Sequence, residues 1–327
     1  MQKIWAKYLA ILAGLGLVIG IYLTLKPRQT ASSRIPAATE RQGAEQRVLH
    51  YLGKKYVLPV KAEKIVVTGA LEALEDLLVL KVKPVGMMSI GGSFPALFAE
   101  IAQDAQPIGE KMQPNLEAIL RIQPDVIISS DKFPPAITEQ LRKIAPTIPI
   151  SHFPADAEAN LRFLGELTGK QGRVAEILEK YGREAAVARA RLPESIKNKK
   201  VVAVRIRVGN ILVYPAQLFF NDILYGELGL PAPEEIKGLK GPEVISLEKF
   251  SAMNPDYIFL QYAASESPAH PKVLDEMEQN PIWRSMEAVK NHRIFINAVD
   301  PLIQGVALGG KIQFLNAAVI KLSKEKE

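Results

Sequence analysis

Short apolar runs alternate with amphipathic segments along most of the chain. In the first half, the runs are typical of buried strands, and the segments between them repeat apolar residues every three or four positions, as on one face of a helix. The predicted strands span 64–69, 83–88, 107–110, 124–130 and 147–153, and the predicted helices span 71–80, 93–102, 115–122 and 137–145. Strands that alternate with helices through short connections indicate a parallel sheet covered on both faces.

The alternation stops between residues 156 and 198. Two helical segments are predicted here, and the second is long, highly charged and ended by Pro193. Strands and helices then resume, beginning with a strand–turn–strand unit around Gly209 and Asn210 and closing with a helix through Leu322. The pattern therefore predicts an α/β protein with one α/β lobe, a helical connector and a second α/β lobe.

These patterns give a division of the chain into five parts. The predicted parts are an N-terminal membrane or signal segment (1–28), a flexible tether (29–45), an N-terminal lobe (46–155), a helical connector (156–198) and a C-terminal lobe (199–327). The N-terminal lobe opens with a predicted hairpin, because a glycine separates two short alternating runs there.

The N-terminal segment has the composition of a membrane span. Residues from Tyr8 to Leu25 carry no charge; lysines precede them, and a lysine and an arginine follow. An uncharged stretch of this length is about enough to cross a bilayer and is longer than a usual signal-peptide core. We expect either an uncleaved anchor or a signal peptide cleaved near the QTASS sequence, and in both cases an exported body.

Composition excludes several kinds of chemistry. The chain of 327 residues has no cysteine, so disulfides, zinc–thiolate sites, iron–sulfur clusters and a cysteine nucleophile are excluded. The net charge of +6 is compatible with an anionic partner, but no run of five basic residues occurs. Nucleic acid is therefore not an expected partner.

One arrangement of residues occurs twice. LEAILRIQPDVII (116–128) and LEKFSAMNPDYIF (247–259) each have Leu-Glu, six further residues, Pro-Asp and an apolar run. A purely structural explanation is a helix–turn–strand unit, in which the glutamate favours the helix dipole and the proline ends the helix. The same offset in two lobes also predicts that Glu117 and Glu248 lie at equivalent rims, where they could bind two arginines of a partner.

Together with the repeat, several stretches resemble the substrate-binding proteins of ABC importers for ferric siderophores, cobalamin and haem. The resemblance covers about residues 46–322 and is carried by VLHYLGKKYVLPVKAEKIVV, VLKVKPVGM, NLEAILRIQPDVII, EVISLEKFSAMNPDYIF and NPIWRSMEAVKNHRIF. It implies two similar lobes joined by one long helix, with a ligand cleft between them and largely parallel sheets. It also implies that Glu117 and Glu248 contact arginines of the membrane permease. The lipobox cysteine of many relatives is missing, so residues 8–25 are the expected attachment to the membrane.

Ligands of two-lobed α/β proteins bind beyond the carboxyl ends of the strands. This rule selects four loops and predicts ligand contacts for Met88, Lys132, Gln261, Tyr262 and Asn297. Met87 and Met88 can also be explained as packing residues of the core. A methionine–histidine pair across the cleft would be the arrangement that binds haem.

A second group of candidates lies on the strand–turn–strand unit. Arg205 and Arg207 are two positions apart on a strand, so they point to one face, and Tyr214 follows at the end of the next strand. In one interpretation the two arginines lie on a solvated face and the tyrosine packs at the strand end. In the other, the three residues line the cleft and bind the anionic groups of a chelate.

The expected protein is an exported, membrane-attached and monomeric solute-binding protein. It would capture a ferric siderophore at the outer face of the cytoplasmic membrane and deliver it to an ABC permease, with no cofactor and no catalytic residues. No cluster of His, Asp and Glu predicts a metal site, so iron would arrive already chelated. Carboxylate, citrate–hydroxamate and catecholate ligands stay open, as do haem and cobalamin. A two-lobed metal-dependent enzyme and a tethered adhesion or sensor module are the rival classes.

Overall fold

The computed structural model describes residues 45–323, and the predicted membrane segment and most of the tether lie outside this range. The described part begins with an antiparallel hairpin of β1 (Gln46–Tyr51) and β2 (Lys54–Pro59). Its turn at Leu52 and Gly53 has positive φ at both residues, as a tight hairpin requires. The hairpin predicted from the central glycine is confirmed.

The first sheet has six strands in the order β6–β5–β4–β3–β7–β8. Its strands are β3 (Ile65–Thr68), β4 (Gly86–Ser89), β5 (Gln106–Glu110), β6 (Gln113–Pro114), β7 (Val126–Ser130) and β8 (Thr147–Ile150). All neighbouring pairs are parallel except β5 and β6, which form a short antiparallel pair. The five predicted strands are present, and β6 is too short to give a sequence pattern.

Helices cover both faces of this sheet. They are α1 (Leu71–Leu80), α2 (Ala99–Ala102), α3 (Leu116–Ile122) and α4 (Pro135–Arg142). The central strands β3 and β7 are entirely buried, which explains why their sequences are continuous apolar runs rather than alternating ones.

The connector consists of α5 (Ala157–Thr168), α6 (Gln171–Arg191) and the short α7 (Glu194–Lys197). The long helix α6 buries a stripe at helical spacing that includes Val174, Ile177 and Tyr181, while its charged residues face solvent. It ends just before Pro193, as the sequence predicted. None of the helices within residues 45–323 is long and apolar enough to span a bilayer.

The second sheet has five strands in the order β11–β10–β9–β12–β13. They are β9 (Val201–Arg207), β10 (Asn210–Val213), β11 (Glu243–Ile245), β12 (Tyr257–Tyr262) and β13 (Ile294–Ile296). The pairs β9–β12 and β12–β13 are parallel, and β9–β10–β11 is an antiparallel meander. The fold is therefore α/β with two lobes and largely parallel sheets, as expected.

The helices of the second half are α8 (Glu234–Lys237), α9 (Leu247–Met253), α10 (Val273–Gln279), α11 (Pro281–Ser285), α12 (Glu287–Lys290) and α13 (Leu308–Leu322). Between β10 and α8 the chain also forms a π-helix over Asp222–Glu227.

The last helix returns to the first lobe. Helix α13 packs against α1 and α6, and its Phe314 ring stacks on Phe220 with the ring centroids 3.8 Å apart. One apolar core thus runs through the inner faces of both lobes and the connector, while two smaller cores lie under the outer helices. The exact domain limits given above stay a prediction.

Candidate functional site

The carboxyl end of β9 carries a buried arginine that is neutralised by a loop carboxylate. Arg205 is only 3% exposed, and its Nε and Nη2 atoms donate to Oε2 of Glu266 at 2.8 and 2.7 Å. Nη2 also lies 3.2 Å from the carbonyl oxygen of Pro301. Among residues 45–323, no partner is present for the buried Nη1 atom. Arg205 is thus held rigidly, and most of its charge is compensated.

Arg207 lies on the same side of β9 but reaches solvent. Its side chain is 58% exposed, and its Nε atom is 4.0 Å from Oε1 of Glu266, too far for a hydrogen bond. Burial raises the pKa of Tyr214, and the guanidinium groups of Arg205 and Arg207 lower it in part, so the phenol lies within the field of both. The Tyr214 ring stacks on Phe219 at 4.5 Å between centroids. The structure therefore brings the three predicted residues together.

The first lobe contributes a lysine and carboxylate pair. Lys132 follows β7, and its Nζ atom donates to Oε1 of Glu72 on α1 at 3.0 Å. The Lys132 backbone nitrogen also donates to the Ser130 hydroxyl, which fixes the loop at the strand end. Lys132 was predicted as a ligand contact, but its partner Glu72 was not.

Lys111 is a cation that the sequence analysis missed. It comes directly after β5 and is partly buried, and this burial lowers its pKa to about 8. Glu72 and Glu266 raise this pKa and Lys132 and Arg205 lower it, so Lys111 lies where charges of both lobes meet. The strand-end rule used for the other loops would have selected it, had the short strand β5 been followed to its carboxyl end.

Other predicted ligand contacts have structural roles in the loops. The Gln261 amide donates to the carbonyl oxygens of Asp300 and Ile303, and Asn297 pairs with both backbone groups of Tyr262. The Tyr262 hydroxyl donates to the Pro271 carbonyl oxygen. These side chains brace the loops around Arg205, and direct contact with a ligand stays a prediction for each of them.

Met88 packs in the core. It is 1% exposed on β4, and the neighbouring Met87 is fully buried. Both thioethers of this strand are buried, which does not favour a methionine–histidine haem site here, and a ligand contact of Met88 stays a prediction. Within residues 45–323, no group of three or more His, Asp and Glu side chains is arranged to hold a metal ion.

The repeated sequence forms the same unit in both lobes. Asn115 caps α3 by accepting from the Ala118 nitrogen at 3.0 Å, and Ser246 caps α9 by accepting from the Lys249 nitrogen at 3.2 Å. Both seven-residue helices end in a left-handed residue, which precedes the Pro-Asp pair.

The aspartates of the two Pro-Asp pairs have matching partners. Asp125 accepts from the backbone nitrogen of Lys64, and Asp256 accepts from that of Lys200, each at 2.8 Å and just before the adjacent parallel strand. Hydrogen bonds therefore account for the helix caps and for the aspartate of each Pro-Asp pair.

Glu117 and Glu248 occupy equivalent exposed positions in the first turns of α3 and α9. The Glu248 backbone N–H and the Ser246 hydroxyl lower the pKa of Glu248, which keeps this carboxylate charged. Neither glutamate packs in a core, so both are accessible to a partner.

Two α/β lobes joined by a long helix, with cations at facing strand ends, define a solute-binding protein. The chain belongs to the periplasmic binding protein family, which residues 66–298 match. Proteins of this family bind substrates for transport and are not enzymes, which sets aside the enzyme interpretation.

Within this family, the chain is similar to proteins of iron uptake. The chain is 40% identical over 306 residues to the iron-uptake system-binding protein of Bacillus subtilis (strain 168), covering 93% of this chain and 96% of the relative. It is similar to the crystal structure of the triscatecholate siderophore binding protein FeuA from Bacillus subtilis complexed with ferri-bacillibactin. That similarity has a TM-score of 0.82 and 42% identity, and it covers 86% of this chain and 99% of the other. Staphylococcus aureus SirA complexed with staphyloferrin B shares the fold, with a TM-score of 0.72 and 22% identity over 86% of this chain and 100% of the other.

Proposed function

We propose that this protein captures a ferric siderophore of the catecholate class and delivers it to the permease of an ABC importer for iron uptake. The observation that carries the proposal is the meeting of cations from two lobes. Lys111 and Lys132 belong to the first lobe and Arg205 and Arg207 to the second, and the field of Arg205 reaches Lys111. A ligand between the lobes would be surrounded by positive charge.

The candidate chelates differ in the net charge of their ferric complexes. Three doubly charged catecholates around Fe³⁺ leave a net charge of −3, whereas three hydroxamates give a neutral complex. The exposed Arg207 and the partly buried Lys111 favour the trianion, since charge-assisted hydrogen bonds are about twice as strong as neutral ones. The catecholate ligand of the relative FeuA supports the same choice.

The exposed glutamates are the proposed docking points. Glu117 and Glu248 would each bind an arginine of the permease, one per lobe, so that the cleft opens toward the transport channel. Their equivalent positions in the first turns of α3 and α9 support this role.

The proposed cellular location rests on the N-terminal sequence. We place the protein, as a monomer, at the outer face of the cytoplasmic membrane, attached by residues 8–25 or released after cleavage. The uncharged stretch from Tyr8 to Leu25 supports attachment. Mass spectrometry of the native protein that finds a start near Ser32 would instead show cleavage.

The proposed ligand is tested by fluorescence titration of the purified protein against three iron complexes. A ferric triscatecholate should quench the intrinsic fluorescence with micromolar or tighter affinity, and a neutral ferric trishydroxamate and haem should bind much more weakly. Arg207→Ala should weaken binding of the triscatecholate by roughly 10- to 100-fold, the value of one charge-assisted contact. Equal affinity for the neutral complex and the trianion would contradict the proposal.

A further inference from the structure

Two cations and one carboxylate of each lobe lie in the region where the charges of the two lobes interact. The members of the first lobe are Lys111, Lys132 and Glu72, and those of the second are Arg205, Arg207 and Glu266. The arrangement recurs although the elements that supply the carboxylates differ. Glu72 lies on helix α1, and Glu266 lies on a short turn over 264–266, after β12.

In both lobes the carboxylate is committed to one cation and not to the other. Glu72 is bound by Lys132 at 3.0 Å, and Oε2 of Glu266 is bound by Arg205 at 2.7 Å. Arg207 is 4.0 Å from Glu266, and the field of Glu72 reaches Lys111. Each lobe therefore has one cation in direct contact with its carboxylate and one cation that interacts with it at longer range.

Glu266 is also fixed in place by its backbone. Its carbonyl oxygen accepts a hydrogen bond from the Val208 nitrogen at 3.0 Å, which ties the turn to the loop after β9. The neighbouring Ser267 hydroxyl accepts from the Gly209 nitrogen. These bonds hold the turn that carries Glu266 beside the strand that carries the two arginines.

We propose that Glu72 and Glu266 are specificity-determining residues that act as intramolecular counter-ions and prevent small anions from binding in the cleft. This role rests on the proposed function, because it concerns selection of a large chelate trianion. A small anion can contact fewer of the four cations at once than a large chelate can. At Lys132 or Arg205 it competes with a carboxylate that is already in place, so its net gain in interaction energy is small.

A large trianion is affected differently. It can contact Lys111 and Arg207, which are not the direct partners of these carboxylates, without displacing Glu72 from Lys132 or Glu266 from Arg205. The counter-ions therefore penalise the small anion more than the chelate, and specificity arises from this difference in affinity. The cleft would select by charge and by size together.

The test measures inorganic phosphate and a ferric triscatecholate by calorimetry, on the wild type, Glu72→Gln and Glu266→Gln. Glutamine keeps the shape and an acceptor oxygen but removes the charge. We expect phosphate binding to strengthen by about tenfold or more in each variant, the scale of one charge-assisted contact. The preference for the chelate over phosphate should fall accordingly. Glu158→Gln is the matched control, because Glu158 pairs with Arg162 on the exposed face of α5 and should change neither affinity.

Two results would overturn the inference. One is unchanged phosphate binding in both variants, and the other is weaker binding of both anions, which would mean that the carboxylates only position the cations. The Glu266→Gln variant could fail to fold, because it leaves the buried Arg205 without its carboxylate. The Glu72→Gln variant then tests the inference alone, because about a third of the Lys132 side chain is exposed and can be solvated. A wild type that binds no ferric chelate would contradict the proposed function, while a gain of phosphate binding in the variants would still support the counter-ions.

Discussion

The carboxyl group of Asp76 caps a helix that begins 232 residues later in the chain. Its Oδ1 atom accepts a hydrogen bond from the Leu308 nitrogen at 3.2 Å, where the N-cap residue Ala307 has no side-chain acceptor of its own. Asp76 lies on α1 in the first lobe, and Leu308 begins α13 after the last strand of the second lobe. This capping bond therefore joins the first helix of the described chain to the last.

Removal of this cap should destabilise the protein. We expect Asp76→Ala to lower the free energy of unfolding by about 1–2 kcal/mol, the usual value of an N-cap, because the Leu308 nitrogen loses its acceptor. Asp76→Asn keeps an acceptor and should cost clearly less at neutral pH. Urea unfolding followed by circular dichroism measures both. Equal losses for the two variants would show that the hydrogen bond is not the source of the effect.

The ionisation of the Asp76 carboxyl group should also make the stability of the protein depend on pH. Burial raises the pKa of Asp76 from 3.8 to about 8, and burial raises the pKa of Glu75 well above its usual value. The folded state then binds protons more tightly than the unfolded state. The free energy of unfolding should therefore fall as the pH rises from about 4 to about 8.

The combined Glu75→Gln and Asp76→Asn variant is the comparison for this pH effect. It has no carboxyl group to ionise at these positions, so its stability should change less across the same pH range. A parallel decline in wild type and variant would assign the pH dependence to other groups.

A glycine in α13 makes room for the Glu75 carboxyl group. A Cβ atom placed on Gly310 would lie 2.8 Å from Ile303 and closer still to Oε2 of Glu75. We expect Gly310→Ala to destabilise the protein by about 1–3 kcal/mol, as overpacking does. Gly182→Ala is the control, since Gly182 is exposed on α6 with open space around it, and it should stabilise by about 0.5–1 kcal/mol. Thermal unfolding compares the two.

Binding of an anionic chelate should depend on the charge of Lys111. Because its pKa is lowered to about 8, chiefly by burial, the ammonium loses its proton as the pH rises through that value. Affinity for a ferric triscatecholate should decline between about pH 7 and 9 and stay more constant in Lys111→Arg, whose guanidinium remains charged. Titrations at several pH values test this, and an identical decline in the arginine variant would exclude Lys111 as the cause.

Docking can be separated from ligand binding. Glu117→Ala and Glu248→Ala should leave chelate affinity unchanged, because both side chains are exposed at the starts of α3 and α9. Each should reduce iron uptake by cells, and the double variant should be close to inactive. Glu139→Ala removes an exposed glutamate of α4 and serves as the control. Normal uptake by the double variant would reduce the repeated unit to a purely structural role.

Much of the architecture follows from local patterns. The alternation of apolar runs and amphipathic segments predicted the parallel strands of both lobes, and the spacing of Arg205 and Arg207 predicted their common side. The repeated Pro-Asp unit predicted equivalent positions for Glu117 and Glu248. In each case neighbours along the chain are sufficient to determine the result.

The remaining features depend on contacts between distant residues. The pairing of Glu266 with Arg205 links a turn to a strand 61 positions away. The amides of Gln261 and Asn297 satisfy loop backbone groups that no periodicity marks. Nor does the apolar stripe of α13 reveal that its partner is α1, since a stripe indicates a buried face but not what covers it.

The packing of the last helix on the first one has a consequence for the order in which the chain folds. Until α13 has been synthesised, the carboxyl groups of Glu75 and Asp76 have neither Gly310 nor the Leu308 nitrogen beside them. The first lobe therefore cannot finish packing when residue 155 has been made. Contacts between such distant residues form late and slow folding. Part of the first lobe therefore stays uncovered until synthesis is nearly complete, and a chain that has not finished folding is the form in which a polypeptide can be threaded through a membrane channel.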